Sequence, residues 1–185
     1  MSPQEAALVA IARFLDAQRL PYMVIGGLAN AVWGVPRATL DVDVTVWAEP
    51  GPPASTLASF ATEFRVLPDD PVDFVQRTRV LPLDTADGVR IDVIFGMLPF
   101  EEQAIARAVE RVVAGQPVRF CTAEDLVLLK IASERPRDRE DVRLLLERRA
   151  AELDRDYLEP RVAELALLLD RPDIRSDYER WLEGE

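Results

Sequence analysis

Apolar positions Ala7, Leu8, Ile11, Phe14 and Leu15 recur at helical spacing over residues 3–19, and the segment stops before Pro21. This predicts an amphipathic N-terminal helix. Tyr22 to Ile25 is a short apolar run that meets Gly26-Gly27, and Leu28 to Trp33 then reads as a helix closed by Gly34. Val42, Val44 and Val46 alternate with Asp41, Asp43 and Thr45, so this strand turns an apolar face to a core and carries acids on the other. Pro50 to Pro53 breaks the chain. Thr56 to Phe64 predicts a helix, and Arg79 to Leu83 with Val89 to Phe95 predict an antiparallel hairpin that turns through Asp84 to Gly88. Phe100 to Glu110 reads as helical, and Arg111 to Val113 with Val118 to Phe120 as short strands around Ala114-Gly115-Gln116-Pro117. Thr122, with Asp125 three residues on, opens a helix through Leu126, Leu129 and Lys130, and Pro136 begins another at its first turn. The rest reads as helical, with Pro160 and Pro172 dividing the tail.

These elements predict an α/β (α+β) fold: a mixed, mainly antiparallel sheet flanked by helices over residues 1–121, then a helical C-terminal region, 122–185, packed on that core. A chain of 185 residues fits one domain with a helical appendage, and 49% apolar with 30% charged residues is the composition of a folded protein. The single Cys121 excludes an intramolecular disulfide, and the lack of histidine removes Ser-His and Cys-His chemistry. Chemistry must run on carboxylates, hydroxyls, Arg or Lys. A net charge of −11 argues against wrapping nucleic acid by phosphate neutralisation alone. The excess concentrates in residues 151–185, with 11 acids against 5 arginines. No apolar run approaches the roughly 20 residues that span a bilayer, and Met1 to Leu15 lacks the pattern of a signal peptide. The expectation is a cytoplasmic protein with no membrane partner.

The chemistry-bearing stretch is Gly26-Gly27, a gap of 13 residues, Asp41-Val42-Asp43-Val44, and later Ile91-Asp92-Val93. Asp41 and Asp43 leave the same strand face with Cα atoms roughly 6.5 Å apart, and Asp92 joins them if its strand is a sheet neighbour. Three carboxylates without His or Cys are hard oxygen ligands suited to Mg²⁺ or Mn²⁺. Gly26 and Gly27 offer bare backbone N–H groups at a helix N-terminus, where phosphate oxygens approach closely. Metal beside a phosphate cradle implies a nucleoside triphosphate (NTP) and nucleotidyl transfer at its α-phosphorus.

This pattern resembles the DNA polymerase β-like nucleotidyltransferase superfamily. Arg37-Ala-Thr39-Leu-Asp41-Val-Asp43, Thr122-Ala-Glu-Asp-Leu-Val-Leu-Leu-Lys130 and Arg135-Pro-Arg-Asp138-Arg-Glu-Asp141-Val narrow the resemblance to small bacterial nucleotidyltransferases related to AbiEii-type toxins, over about residues 22–150. The resemblance implies Asp41, Asp43 and Asp92 as catalytic metal ligands, Gly26 and Gly27 holding the triphosphate, Lys130 contacting phosphate, and Asp138 or Asp141 in a fourth motif. It also implies a toxin–antitoxin setting, with an antitoxin protein as partner. Many relatives carry Gly-Ser where this chain has Gly-Gly, so a seryl hydroxyl contact to phosphate is missing.

Other signals are local. Lys130 is the one lysine against 21 arginines, which suggests that a compact ammonium is wanted there. Arg37 and Thr39 are candidate nucleotide-binding residues: Arg37 as a phosphate ligand, and Thr39 because it shares the face of Asp41 and Asp43 if the strand begins early. Asp138 and Asp141 are neighbours on one helix face and fit a site or an intrahelical ion pair equally. The acceptor is open: an RNA end such as that of tRNA, a protein side chain, or a small molecule such as an antibiotic. A two-metal phosphodiesterase or nuclease, and a catalytically idle nucleotide- or partner-binding relative, are the alternatives.

Overall fold

A computed structural model describes residues 1–48 and 51–184. Of the chain break expected at Pro50 to Pro53, Pro50 lies outside the described residues, and Gly51 to Pro53 form no regular element. The chain divides into two compact units, Met1–Leu28 with Ala38–Cys121, and Ala29–Arg37 with Thr122–Glu185.

The first unit holds α1 (Pro3–Ala17), β1 (Tyr22–Val24), the start of α2 (Gly26–Trp33), β2 (Val42–Val46), α3 (Ala54–Phe60), β3 (Arg65–Val66), α4 (Pro71–Thr78), β4 (Val80–Asp84), β5 (Arg90–Phe95), α5 (Pro99–Arg107), β6 (Val109–Val113) and β7 (Gln116–Phe120). Ser2 and Glu5 close a capping box at α1, whose buried Ala7, Leu8, Ile11, Phe14 and Leu15 are the periodic positions of the sequence. The strands form one sheet in the order β3-β4-β5-β2-β1-β7-β6. Four neighbouring pairs run antiparallel, and β1·β7 and β2·β5 run parallel. Val42, Val44 and Val46 meet Ile91, Val93 and Phe95 in register, all of them fully or almost fully buried. This apolar face, with Tyr22, Val24, Leu81 and Leu83, is the part of the core that fixes the pairing of β2 with β5. The fold is the mixed, mainly antiparallel α/β arrangement expected, followed by a helical C-terminal region.

The second unit comprises the remainder of α2 with α6 (Ala123–Ile131), α7 (Pro136–Arg149), α8 (Arg155–Leu168) and α9 (Pro172–Leu182). Thr122 caps α6 by accepting from the Asp125 backbone N–H. Pro172 opens α9, but Pro160 lies inside α8 and does not divide it. The Asp154 cap and the buried Leu158, Val162, Leu165 and Ala166 hold α8 together across the lost hydrogen bond. Two elements of the first unit had no counterpart in the sequence pattern, β3 and α4. The helix expected to reach Phe64 stops at Phe60. No helix among the described residues is long and apolar enough to cross a membrane.

Candidate active site

In the parallel pairing of β2 with β5, Asp43 and Asp92 face each other directly. Residues opposed in register project to the same side of a sheet, so the two carboxylates share a face. Asp41 precedes β2 by one residue, is exposed, and lies near enough for its charge to act on Asp92. Burial pushes the Asp92 carboxyl above its ordinary value, the Arg90 guanidinium pulls it partly back, and the Asp41 carboxylate adds to the rise.

Gly26 begins α2 with φ +64°, a backbone conformation that costs a side-chain-bearing residue energy. It must also be small, because the Asp43 side chain lies over it: a Cβ at Gly26 would stand 2.8 Å from Asp43 Cγ and 2.9 Å from its Cβ. Gly27 is covered in the same way by Thr39, whose Oγ1 and Cβ would stand 2.6 and 2.8 Å from a Cβ at position 27. The glycine pair is thus the floor on which Asp43 and Thr39 rest. A carboxylate at a helix N-terminus is favoured by the helix dipole.

Among the described residues no three acidic, histidine or cysteine side chains form a group that could hold a metal ion. The register brings Asp43 and Asp92 together, while Asp43 packs onto Gly26 and Asp41 sits off the strand end. The donor set is nonetheless of one chemical kind, carboxylate oxygen, which fits a hard divalent cation such as Mg²⁺ or Mn²⁺.

The remaining candidates lie in the second unit and form a network. The Lys130 ammonium is buried and donates to Asp138 Oδ1 at 2.6 Å and Asp141 Oδ2 at 2.8 Å. Arg37 donates to both oxygens of Asp141, from Nε at 3.2 Å and from Nη2 at 3.0 Å. Asn30, fully buried on α2, donates to Asp141 Oδ1 and to the Val35 carbonyl, and Ser133 donates to Asp138 Oδ2. Burial alone would raise the Asp141 carboxyl, but the hydrogen bonds and charges of Arg37 and Lys130 outweigh it and hold the carboxyl below its ordinary value. Asn30 was not singled out from the sequence. Its one signal is a polar residue within the otherwise apolar stretch Leu28 to Trp33.

No protein-family model matches the chain, and no curated protein sequence matches it. Solved structures do. An antigenic nucleotidyltransferase-like protein from Paracoccidioides brasiliensis is similar with a TM-score of 0.57 at 18% identity, over 95% of this chain and 92% of that one. ANT(2")-Ia in complex with adenylyl-2"-tobramycin is similar with a TM-score of 0.55 at 22% identity, over 96% and 99% of the two chains. The lincosamide antibiotic adenylyltransferase LnuA, lincomycin-bound, is similar with a TM-score of 0.50 at 11% identity, over 78% and 96%. The likeness establishes the fold: the chain folds as these nucleotidyltransferase structures do.

Proposed function

We propose that the protein is a metal-dependent nucleotidyltransferase that moves a nucleoside monophosphate from an NTP to an acceptor hydroxyl. The observation that carries this reading is the register pairing of Asp43 with Asp92 beside the N-terminus of α2, on a nucleotidyltransferase fold. Asp43 and Asp92, with Asp41, would hold Mg²⁺ or Mn²⁺. Such a cation supplies charge neutralisation for a triphosphate and acidifies a bound hydroxyl. The first turn of α2 offers backbone N–H groups that have no intrahelical acceptor, and these bind phosphate oxygens. In the reaction the acceptor oxygen bonds to the α-phosphorus, the bond between that phosphorus and the β-phosphate oxygen breaks, and pyrophosphate leaves.

A small-molecule acceptor is favoured over RNA. The net charge of −11 opposes a polyanion, and two of the similar structures concern adenylyl transfer to antibiotics. The toxin reading, with its antitoxin partner, instead requires an RNA or protein acceptor.

The test is transfer of label from each of four α-labelled NTPs with Mg²⁺ into the RNA, protein and small-molecule fractions of a cell extract, with Asp43→Asn beside the wild type. Label in the small-molecule fraction, lost in the variant, supports the reading. Label in RNA or protein would redirect it to the toxin class. No label anywhere, with an active control enzyme, would favour the idle binding relative.

A further inference from the structure

Helices α8 and α9 enclose a groove that lies wholly within the second unit and shares no residue with the sheet aspartates or the Lys130 network. Its volume is about 410 Å³, within the roughly 300–1,000 Å³ usual for small-ligand pockets. Tyr178 stands in its wall. The residue is only 2% exposed, and its hydroxyl is closed to water and meets no partner at hydrogen-bonding geometry. Phenylalanine would pack the same ring without leaving a buried polar group unsatisfied, so packing gives no reason for the oxygen. Burial pushes the phenol above its ordinary value of 10.0, which keeps its proton in place as a donor. The charges of Glu159 and Arg155, both on α8 and both lining the groove, act on the phenol, so the hydroxyl end of the ring lies toward the groove. The Arg155–Glu159 pair that roofs it is half-exposed or more, and such a pair opens at little cost.

The charges of the groove define what it takes. Arg155 pairs with Glu159 at 2.6 Å and Arg175 with Glu179 at 2.8 Å, each within its own helix, so neither arginine is left over for an anion. Glu183 lines the groove without an ion pair among the described residues. It caps the C-terminal end of α9, where the helix dipole also favours a cation. Five residues separate it from Tyr178, a rise of about 7.5 Å along a helix. Val162 and Leu182 give the space between an apolar side. We propose that the α8–α9 groove binds a small hydroxylated amine of the amino-sugar class, whose ammonium meets Glu183 and whose oxygen accepts from the Tyr178 hydroxyl. The site is separate from the carboxylates of the sheet, and its failure would leave the nucleotidyltransferase reading intact.

The probe is glucosamine, compared with N-acetylglucosamine and glucose, which keep the ring and hydroxyls without the ammonium. Each is titrated into the full chain in mildly acidic buffer and followed by nuclear magnetic resonance of the tyrosine rings, of which the chain has 3. Thermal melting of each variant is measured without sugar. Glucosamine is expected to shift the Tyr178 ring signals and to bind about tenfold more tightly than either neutral sugar. Tyr178→Phe weakens glucosamine binding about tenfold, the worth of one hydrogen bond, and melts at or above the wild-type temperature because the fold loses only an unsatisfied hydroxyl. Glu183→Gln brings the three sugars to equal affinity. The proposal is overturned by a wild-type protein whose Tyr178 signals glucosamine does not move, or that binds the three sugars equally. Wild-type affinity in Tyr178→Phe overturns it as well, and so does a Tyr178→Phe protein that melts well below wild type, since the hydroxyl would then serve the fold.

Discussion

The two units each hold a close pair of aspartates, and they treat them in opposite ways. On the sheet, Asp92 sits opposite Asp43, is half-buried, takes part in no ion pair among the described residues, and has its carboxyl raised. Between α6 and α7, Asp138 and Asp141 are supplied with donors from Lys130, Arg37, Asn30 and Ser133, and the Asp141 carboxyl is lowered. Burial pushes both carboxyls in the same direction. The difference is the donor supply. The Asp141 carboxylate is met by cations of its own chain, whereas burial dominates at Asp92 and only the Arg90 charge opposes it.

The comparison can be broken most severely at Asp43. Asp43→Asn is expected to lower nucleotidyl transfer about 10³-fold, measured as initial rate under saturating NTP, with the melting temperature kept. Asp141→Asn should do the converse. It leaves Lys130 and Arg37 short of a charged partner in a buried setting, costing about 3–5 kcal/mol of stability, read by urea denaturation. Gly26→Ala is next, at about 1–2 kcal/mol for the positive φ, with an added loss of activity because the methyl group displaces Asp43.

The smallest effects sharpen the contrast through pH. Because the Asp92 carboxyl is raised in the fold, it favours the native state below its ordinary value of 3.8, and that contribution is lost as pH rises through the raised native value. Asp92→Asn should therefore raise the melting temperature slightly at pH 7, with the gain shrinking in acid. The lowered Asp141 carboxyl has the opposite sign. Its stabilisation is present above its ordinary value and is lost as pH falls through the lowered native one, so acid unfolding in Asp141→Asn should show a weaker pH dependence than in wild type.

Much of this arrangement was legible in the sequence where one face of an element is buried. The alternation of Val42, Val44 and Val46 defined β2 and put Asp43 on its other face, because a strand's period of two leaves no other choice, whereas Asp41, expected beside it, lies one residue before the strand. The pairing of Asp43 with Asp92 was conditional on β2 and β5 being neighbours, and local pattern cannot decide strand order. α4 was illegible because it is only eight residues long, too short for its apolar Val72 and Val75 to repeat over a second turn, although Asp70 and Pro71 at its start are ordinary cap signals. The floor role of Gly26 and Gly27 was also invisible. The residues read as an open cradle, and only the placement of Asp43 and Thr39 over them gives their small size its second reason. Lys130 stood out as the sole lysine, and its two carboxylate partners eight and eleven residues on are within one helix turn of each other, a spacing that the sequence displayed and that allowed a site or a tie.

The claim that the sheet pair, and not the helical pair, takes a cation is tested most directly by Mn²⁺ binding, followed by electron paramagnetic resonance in the presence of a non-hydrolysable NTP. Wild type, Asp43→Asn and Asp138→Asn would be compared, each shown by circular dichroism to be folded. The account predicts that wild type and Asp138→Asn bind Mn²⁺ and that Asp43→Asn loses it. Binding that survives in Asp43→Asn and disappears in Asp138→Asn would contradict it.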